Sequence, residues 1–146
     1  MEYVDGVLVE RNVGDWLHSL IQSNIIFHLR RKYPGIYVLP ELRSQTRLTR
    51  YRLPDVCVVL QAPTPKFLLD AAFVAVEILS EDDRMSRMME KLEEYHEKGI
   101  RHIWLIDPRL QKVSVYTGGT LNEIREAVVA TADPRLELSR EEIFQS

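Results

Sequence analysis

Three nearly unbroken apolar stretches stand out along the chain: Val56 to Leu60, Phe73 to Leu79 and His102 to Ile106. Runs of this length and continuity predict strands covered on both faces of a sheet. Between the second and third, the period changes to that of a helix. Residues 84 to 98, wound at about 100° each, place Met85, Met88, Met89, Leu92 and Tyr95 on one face, with His96 near its centre. Glu90, Glu93, Glu94 and Glu97 fall on the opposite side. Ser80 is the predicted N-cap of this helix, with Asp83 at the third position, and Gly99 is its C-terminal break.

The flanking segments follow the same logic. Residues 2 to 10 predict a hairpin about Asp5-Gly6, a dipeptide suited to a type I′ turn. Asn12 to Gly14 break the pattern. Asp15 to about Arg31 then predicts a helix with Leu17, Leu20, Ile21, Ile25 and His28 on or near one face, and His18 and Gln22 to one side. Lys32-Tyr-Pro-Gly stops it, and Ile36 to Leu39 and Glu41 to Thr49 predict strands in a meander with the strand that follows Asp55. Gln61 to Lys66 is a loop that could overlie a site. Lys112 to Tyr116 and Leu121 to Val129 predict two antiparallel strands about Gly118-Gly119, and Ser139-Arg-Glu-Glu-Ile-Phe a short capped helix. The expected fold is α+β: a mixed central sheet flanked by helices, preceded by a hairpin.

At 146 residues the chain suffices for one domain with a real core. Cys57, alone in an apolar strand, predicts a packing residue and rules out a disulfide framework. No apolar run approaches the ~20 residues that span a bilayer, and the acidic N-terminus is unlike a signal peptide, so a cytoplasmic location is expected. The formal net charge of −3 counts against a strong general binder of nucleic acid.

Charge distribution changes that picture. Arg43, Arg47, Arg50 and Arg52 lie in a segment without acids that leads straight to Asp55. They can contact phosphates, or they can be the charges that keep an exposed strand from pairing. Arg84, Arg87, Lys91 and Lys98 form a stripe along one edge of the helix, a clustering of like charges that calls for a carboxylate or phosphate nearby.

Glu77 is the anomaly within the apolar runs. A carboxylate buried in such a strand costs on the order of several kcal/mol unless a cation, a metal or hydrogen-bond donors meet it. Asp55 and Glu77 on adjacent strands, with a lysine beside them, suit metal-assisted phosphodiester hydrolysis. A buried ion pair of Glu77 with Lys91 or Arg84, in a binding module or oligomeric scaffold, is the rival reading.

Tyr3-Val-Asp-Gly-Val-Leu-Val-Glu, Pro54-Asp55, Glu77 with Leu79-Ser80, Lys91 with Tyr95 and Gly99, and Trp104-Leu-Ile-Asp-Pro108 together resemble the bacterial Uma-two family of the PD-(D/E)XK restriction-endonuclease-like superfamily. The resemblance implies a restriction-endonuclease-like core and a Mg²⁺-dependent endonuclease acting on DNA, with Mn²⁺ as a substitute and a homodimer as an option. It implies Asp55, Glu77 and the backbone carbonyl of Ile78 as metal ligands. Leu79 stands where the superfamily pattern has its lysine, so Lys91, on the helix, matches the lysine that takes over in the resembling family. Glu41, His18 and Asp107 are accessory candidates. For His18 the commoner role of a lone helical histidine is that of a packed or solvated side chain, and for Asp107 that of a turn residue. Arg43, Arg47, Arg50, Arg52, Arg84 and Arg87 are the candidate nucleic-acid contacts.

Overall fold

The computed structural model describes residues 1–10 and 14–146, so Asn12 and Val13 of the predicted break lie outside the described residues. In chain order the elements are β1 (Glu2–Val4), β2 (Val7–Val9), α1 (Trp16–Lys32), β3 (Tyr37–Pro40), β4 (Ser44–Arg47), β5 (Arg50–Arg52), β6 (Val56–Val59) and β7 (Val74–Ile78). They continue with α2 (Met85–Lys98), β8 (His102–Asp107), β9 (Lys112–Thr117), β10 (Thr120–Glu123), β11 (Val128–Ala130), β12 (Glu137–Ser139) and α3 (Arg140–Phe144).

The apolar runs form the middle of a six-stranded sheet of order β10-β9-β8-β7-β6-β3. β7 and β8 are parallel neighbours, with α2 between them in the chain, and the other neighbours are antiparallel. Strand alternation assigns each face. Val74, Val76 and Ile78 pack with Ile21, Ile25 and Leu29 of α1, whereas Ala75 packs with Met88, Leu92 and Tyr95 of α2. Glu77 shares the parity of Ala75 and so points to the α2 side. This is the predicted α+β architecture, with a mixed central sheet and a helix on each face.

The N-terminal hairpin forms as predicted, with Asp5 at φ 50° and Gly6 at φ 86°, the positive values that a type I′ turn requires. It joins a second, four-stranded antiparallel sheet of order β2-β1-β5-β4. Here the prediction needs correcting. β3 pairs directly with β6, but the segment from Glu41 does not continue that meander. Glu41 is an exposed bend residue at φ 50°, and the strand after it leaves the central sheet to pair with β5 beside the hairpin.

Three other expectations shift. Ser80 does not cap α2: its N–H and hydroxyl both go to Asp83 Oδ2, closing a turn at 80–83, and the helix starts only at Met85. Leu121 to Val129 is two strands, because β11 turns away to pair with β12. Leu17 and Met85, placed on the apolar faces, are 41% and 46% exposed, each in the first turn of its helix. Gly99 ends α2 at φ 99°, and α3 opens with a capping box between Ser139 and Glu142. Cys57 is fully buried, and burial pushes its thiol up to about 12. Among the described residues no helix is long and apolar enough to cross a membrane.

Candidate functional site

Register brings the two acids together. β6 and β7 pair Val56 with Val76, and one step beyond that pair stand Asp55 and Glu77. The backbone N–H of Ile78 donates to Asp55 Oδ2 at 2.7 Å, tying the Asp55 turn to the end of β7. Both carboxylates are 2% exposed as residues, yet both line a cavity of about 500 Å³ that opens between the hairpin, α1 and the N-terminal half of α2.

Lys91 reaches the same cavity from α2. Its Nζ lies 3.7 Å from Glu77 Oε1, so the ammonium partner of Glu77 is Lys91, while Arg84 stands exposed at the cavity wall. Tyr95, one helical turn further on, donates its hydroxyl to Glu77 Oε1 at 2.6 Å. These contacts do not fully answer the charge. Burial is the main cause that pushes the Glu77 carboxyl up, to about 8; Lys91 opposes this, and the neighbouring Asp55 adds to it. Burial, and next the charge of Glu77, hold the Tyr95 hydroxyl well above its ordinary range.

His18 belongs to the site, against the expectation of a packed or solvated side chain. Its Nε2 is 3.2 Å from Asp55 Oδ1, and the residue is 9% exposed. Two features put it there. Asp15 caps α1 by accepting the His18 N–H at 2.9 Å, and Gln22, one turn on, donates to the Asp55 backbone carbonyl at 2.7 Å. His18 and Gln22, both set to one side of the apolar stripe, thus grip the same turn. Gly14 leaves room for the ring: a Cβ on it would come within 2.5 Å of His18 Nδ1.

Two residues of this region escaped the sequence pattern. Glu2 is 3% exposed, with Oε1 3.2 Å from both Lys91 Nζ and Arg52 Nη1, and Oε2 accepting the Leu53 N–H at 2.9 Å. Glu94, placed by the helical wheel on the solvent side, is 0% exposed because the β4–β5 hairpin covers it. Arg52 Nε donates to Glu94 Oε2 at 2.7 Å, while Arg50 at 3.2 Å and the Thr46 hydroxyl at 3.1 Å reach Oε1.

These contacts correct the reading of the basic segment. Arg50 and Arg52 are engaged with Glu94, Glu2 and Asp5, and Arg47 pairs with Glu97 at 2.7 Å. The exposed Arg43 is not among the residues lining the cavity. The segment is chiefly an internal counter-charge, whereas Arg84 and Arg87 are exposed and do line the cavity. Glu41 lies outside the lining, and Asp107 closes a turn by accepting the N–H groups of Arg109 and Leu110. The loop after β6 also stays clear: Leu68 pairs its N–H and carbonyl with Arg43 and Gln45, which holds the loop along β4.

The donor set suits a hard cation. Among the described residues the cavity is lined by seven carboxyl groups, those of Glu2, Glu10, Asp55, Glu77, Asp82, Asp83 and Glu90, against four cations, Arg52, Arg84, Arg87 and Lys91, an excess of acidic groups. Among the described residues no group of three or more His, Cys, Asp and Glu side chains is arranged to hold a metal. Two carboxylates fit Mg²⁺, which keeps several waters, better than Zn²⁺, which takes three or four protein ligands.

No functionally curated protein matches the chain. A crystal structure described as that of "a putative nuclease belonging to DUF820", from Anabaena variabilis ATCC 29413, shares the fold with a TM-score of 0.78, covering 98% of this chain and 88% of its own at 22% identity. The profile of the Uma-two family, described as "putative restriction endonuclease", matches residues 1–146, and the chain belongs to that family.

Proposed function

We propose that the protein is a Mg²⁺-dependent nuclease that hydrolyses phosphodiester bonds of DNA, working as a homodimer where both strands are cut. The observation that carries this reading is the meeting of Asp55, Glu77 and Lys91 in one cavity, from three segments of the chain, around a carboxyl that its own neighbours leave under-compensated. Membership of a family described in those terms supports it.

Asp55 and Glu77 would hold the ion, with the backbone carbonyl of Ile78 as a further oxygen donor. When bound, Mg²⁺ supplies Lewis-acid stabilisation of charge on the phosphoryl oxygens and makes water easier to deprotonate. Lys91 offers N–H donors at Nζ beside Glu77, where it would orient the attacking water and meet negative charge growing on the phosphoryl oxygens. Tyr95 occupies one face of Glu77 Oε1, which restricts how that carboxylate can turn. His18 lies against Oδ1 of Asp55, and the Ile78 N–H donates to Oδ2. Arg84 and Arg87 would take flanking phosphates; Glu10, Asp82 and Glu90 in the same lining oppose them, so binding should be weak and salt-dependent.

The experiment is nicking of supercoiled plasmid in Mg²⁺ or Mn²⁺, with EDTA as control. Ion-dependent nicking by the wild type that is lost in Glu77→Gln supports the reading. Equal nicking by both proteins removes Glu77 from the mechanism.

One observation favours a second reading, a nuclease-fold scaffold. The chain of contacts Glu94–Arg52–Glu2–Lys91–Glu77 is continuous without any ion. That reading expects no change in thermal unfolding on adding Mg²⁺. The excess of carboxyl groups over cations lining the cavity weighs against it.

A further inference from the structure

We infer that Glu2 is a positioning residue that fixes the Lys91 ammonium over Glu77, so that the N-terminal hairpin is part of the reaction centre. The inference rests on the nuclease reading for the reaction and on the geometry for the placement. Pairing of β1 with β5, through Tyr3↔Tyr51 and Val4↔Arg50, delivers Glu2 beside Arg52 and Leu53. Its carboxylate is then shared between the two halves of the site. Oε2 accepts the N–H of Leu53, two residues before Asp55, and Oε1 sits 3.2 Å from Lys91 Nζ, nearer than the 3.7 Å that separates the same ammonium from Glu77.

A lysine is a point charge on a long flexible stem, and the contact with Glu77 at 3.7 Å does not by itself fix where its proton points. A second carboxylate on the same ammonium does. Glu2 is itself held: Arg52 contacts Oε1 at 3.2 Å, and Arg52 is clamped in turn by the enclosed Glu94 at 2.7 Å. Rigidity therefore runs from the core to the Lys91 ammonium beside Glu77.

The test measures plasmid nicking in Mn²⁺ and calorimetric Mn²⁺ affinity for wild type, Glu2→Gln, Glu2→Asp and Asp5→Asn. Glu2→Gln keeps an oxygen for the Leu53 N–H but loses its attraction for Lys91. Its kcat should fall about ten- to a hundredfold, as for groups that orient a reactive side chain, with KM for DNA and Mn²⁺ affinity within twofold of wild type. Glu2→Asp should recover part of the loss, and Asp5→Asn, at the hairpin tip, should retain wild-type kcat. Wild-type kcat in Glu2→Gln overturns the inference, as does an equal loss in Asp5→Asn, which would reduce the effect to hairpin docking. Mn²⁺ affinity weakened tenfold in Glu2→Gln also overturns it, by making Glu2 a ligand. Should Glu2→Gln unfold, Glu2→Asp decides: reduced kcat at unchanged Mn²⁺ affinity supports the inference, and wild-type kcat overturns it. A wild type that does not nick removes the nuclease reading itself, whereas an active wild type with an equally active Glu2→Gln removes only the role of Glu2.

Discussion

Glu77 on β7 and Glu94 on α2 are both buried carboxylates, 2% and 0% exposed, and their surroundings are opposite. Glu94 is enclosed: two guanidinium groups and a hydroxyl cover both of its oxygens. Glu77 faces a cavity, with one tyrosine hydroxyl and one ammonium against the charges of Asp55 and Glu2, and burial pushes it up to about 8. Burial alone therefore does not mark a functional acid. An excess of like charge at an opening to solvent does, because only there can a cation enter to relieve it.

The largest effect that would break this contrast is on activity. Glu77→Ala should lower nicking at least about 10²-fold at unchanged far-ultraviolet circular dichroism, while Glu94 substitutions act through stability. Glu94→Ala takes from Arg52, 8% exposed, the nearer of its two carboxylate partners, and loss of one partner from a buried ion pair costs about 3–5 kcal/mol, read as a fall in the urea midpoint. If Glu94→Ala left stability intact and abolished nicking, the assignment of the two acids would be reversed.

The pH dependence sharpens the same comparison. The Glu77 carboxyl is raised in the folded state from an ordinary 4.5 to about 8, so its protonated form is favoured by folding. Its contribution to stability is fully present below pH 4.5 and is lost as the pH rises through about 8. The unfolding temperature of metal-free protein should decline across that window. Glu77→Gln should flatten the decline, and Mg²⁺ should counter it at the alkaline end; a decline unaltered by Glu77→Gln would assign it to other groups. The smallest effect is expected at Gly14→Ala, where the added methyl group meets His18 Nδ1 and pushes the ring from Asp55. A severalfold loss of kcat with about 1–3 kcal/mol of overpacking cost is expected, and an unaffected variant would remove His18 from the site.

Much of the central sheet was legible because a strand covered on both faces must be apolar throughout, so Val56 to Val59 and Val74 to Ile78 could be read without knowing their neighbours. An acid inside such a run is conspicuous for the same reason, and Lys91 was marked by its stripe. Glu2, Glu94 and the arginines of β4 and β5 were not legible. Their partners lie 42 to 50 residues away, as in Arg52–Glu94 and Arg52–Glu2, and no local period records a contact between such distant segments. The helical wheel set Glu94 on the solvent side because it knows the sheet beneath α2 and not the hairpin beside it. His18 lay between these cases: its place beside Gln22 was visible, but the turn that both of them grip was not.

The measurement that tests the account most directly is calorimetric titration of Mn²⁺ into the wild type and into Asp55→Asn at pH 7.5, a working pH of ~7–8 being chosen so that Glu77 is partly protonated. The account predicts saturable binding with proton release in the wild type and its loss in Asp55→Asn, with the fold unchanged. Absence of binding in the wild type, or equal binding in both proteins, would contradict a cation site built on Asp55 and Glu77.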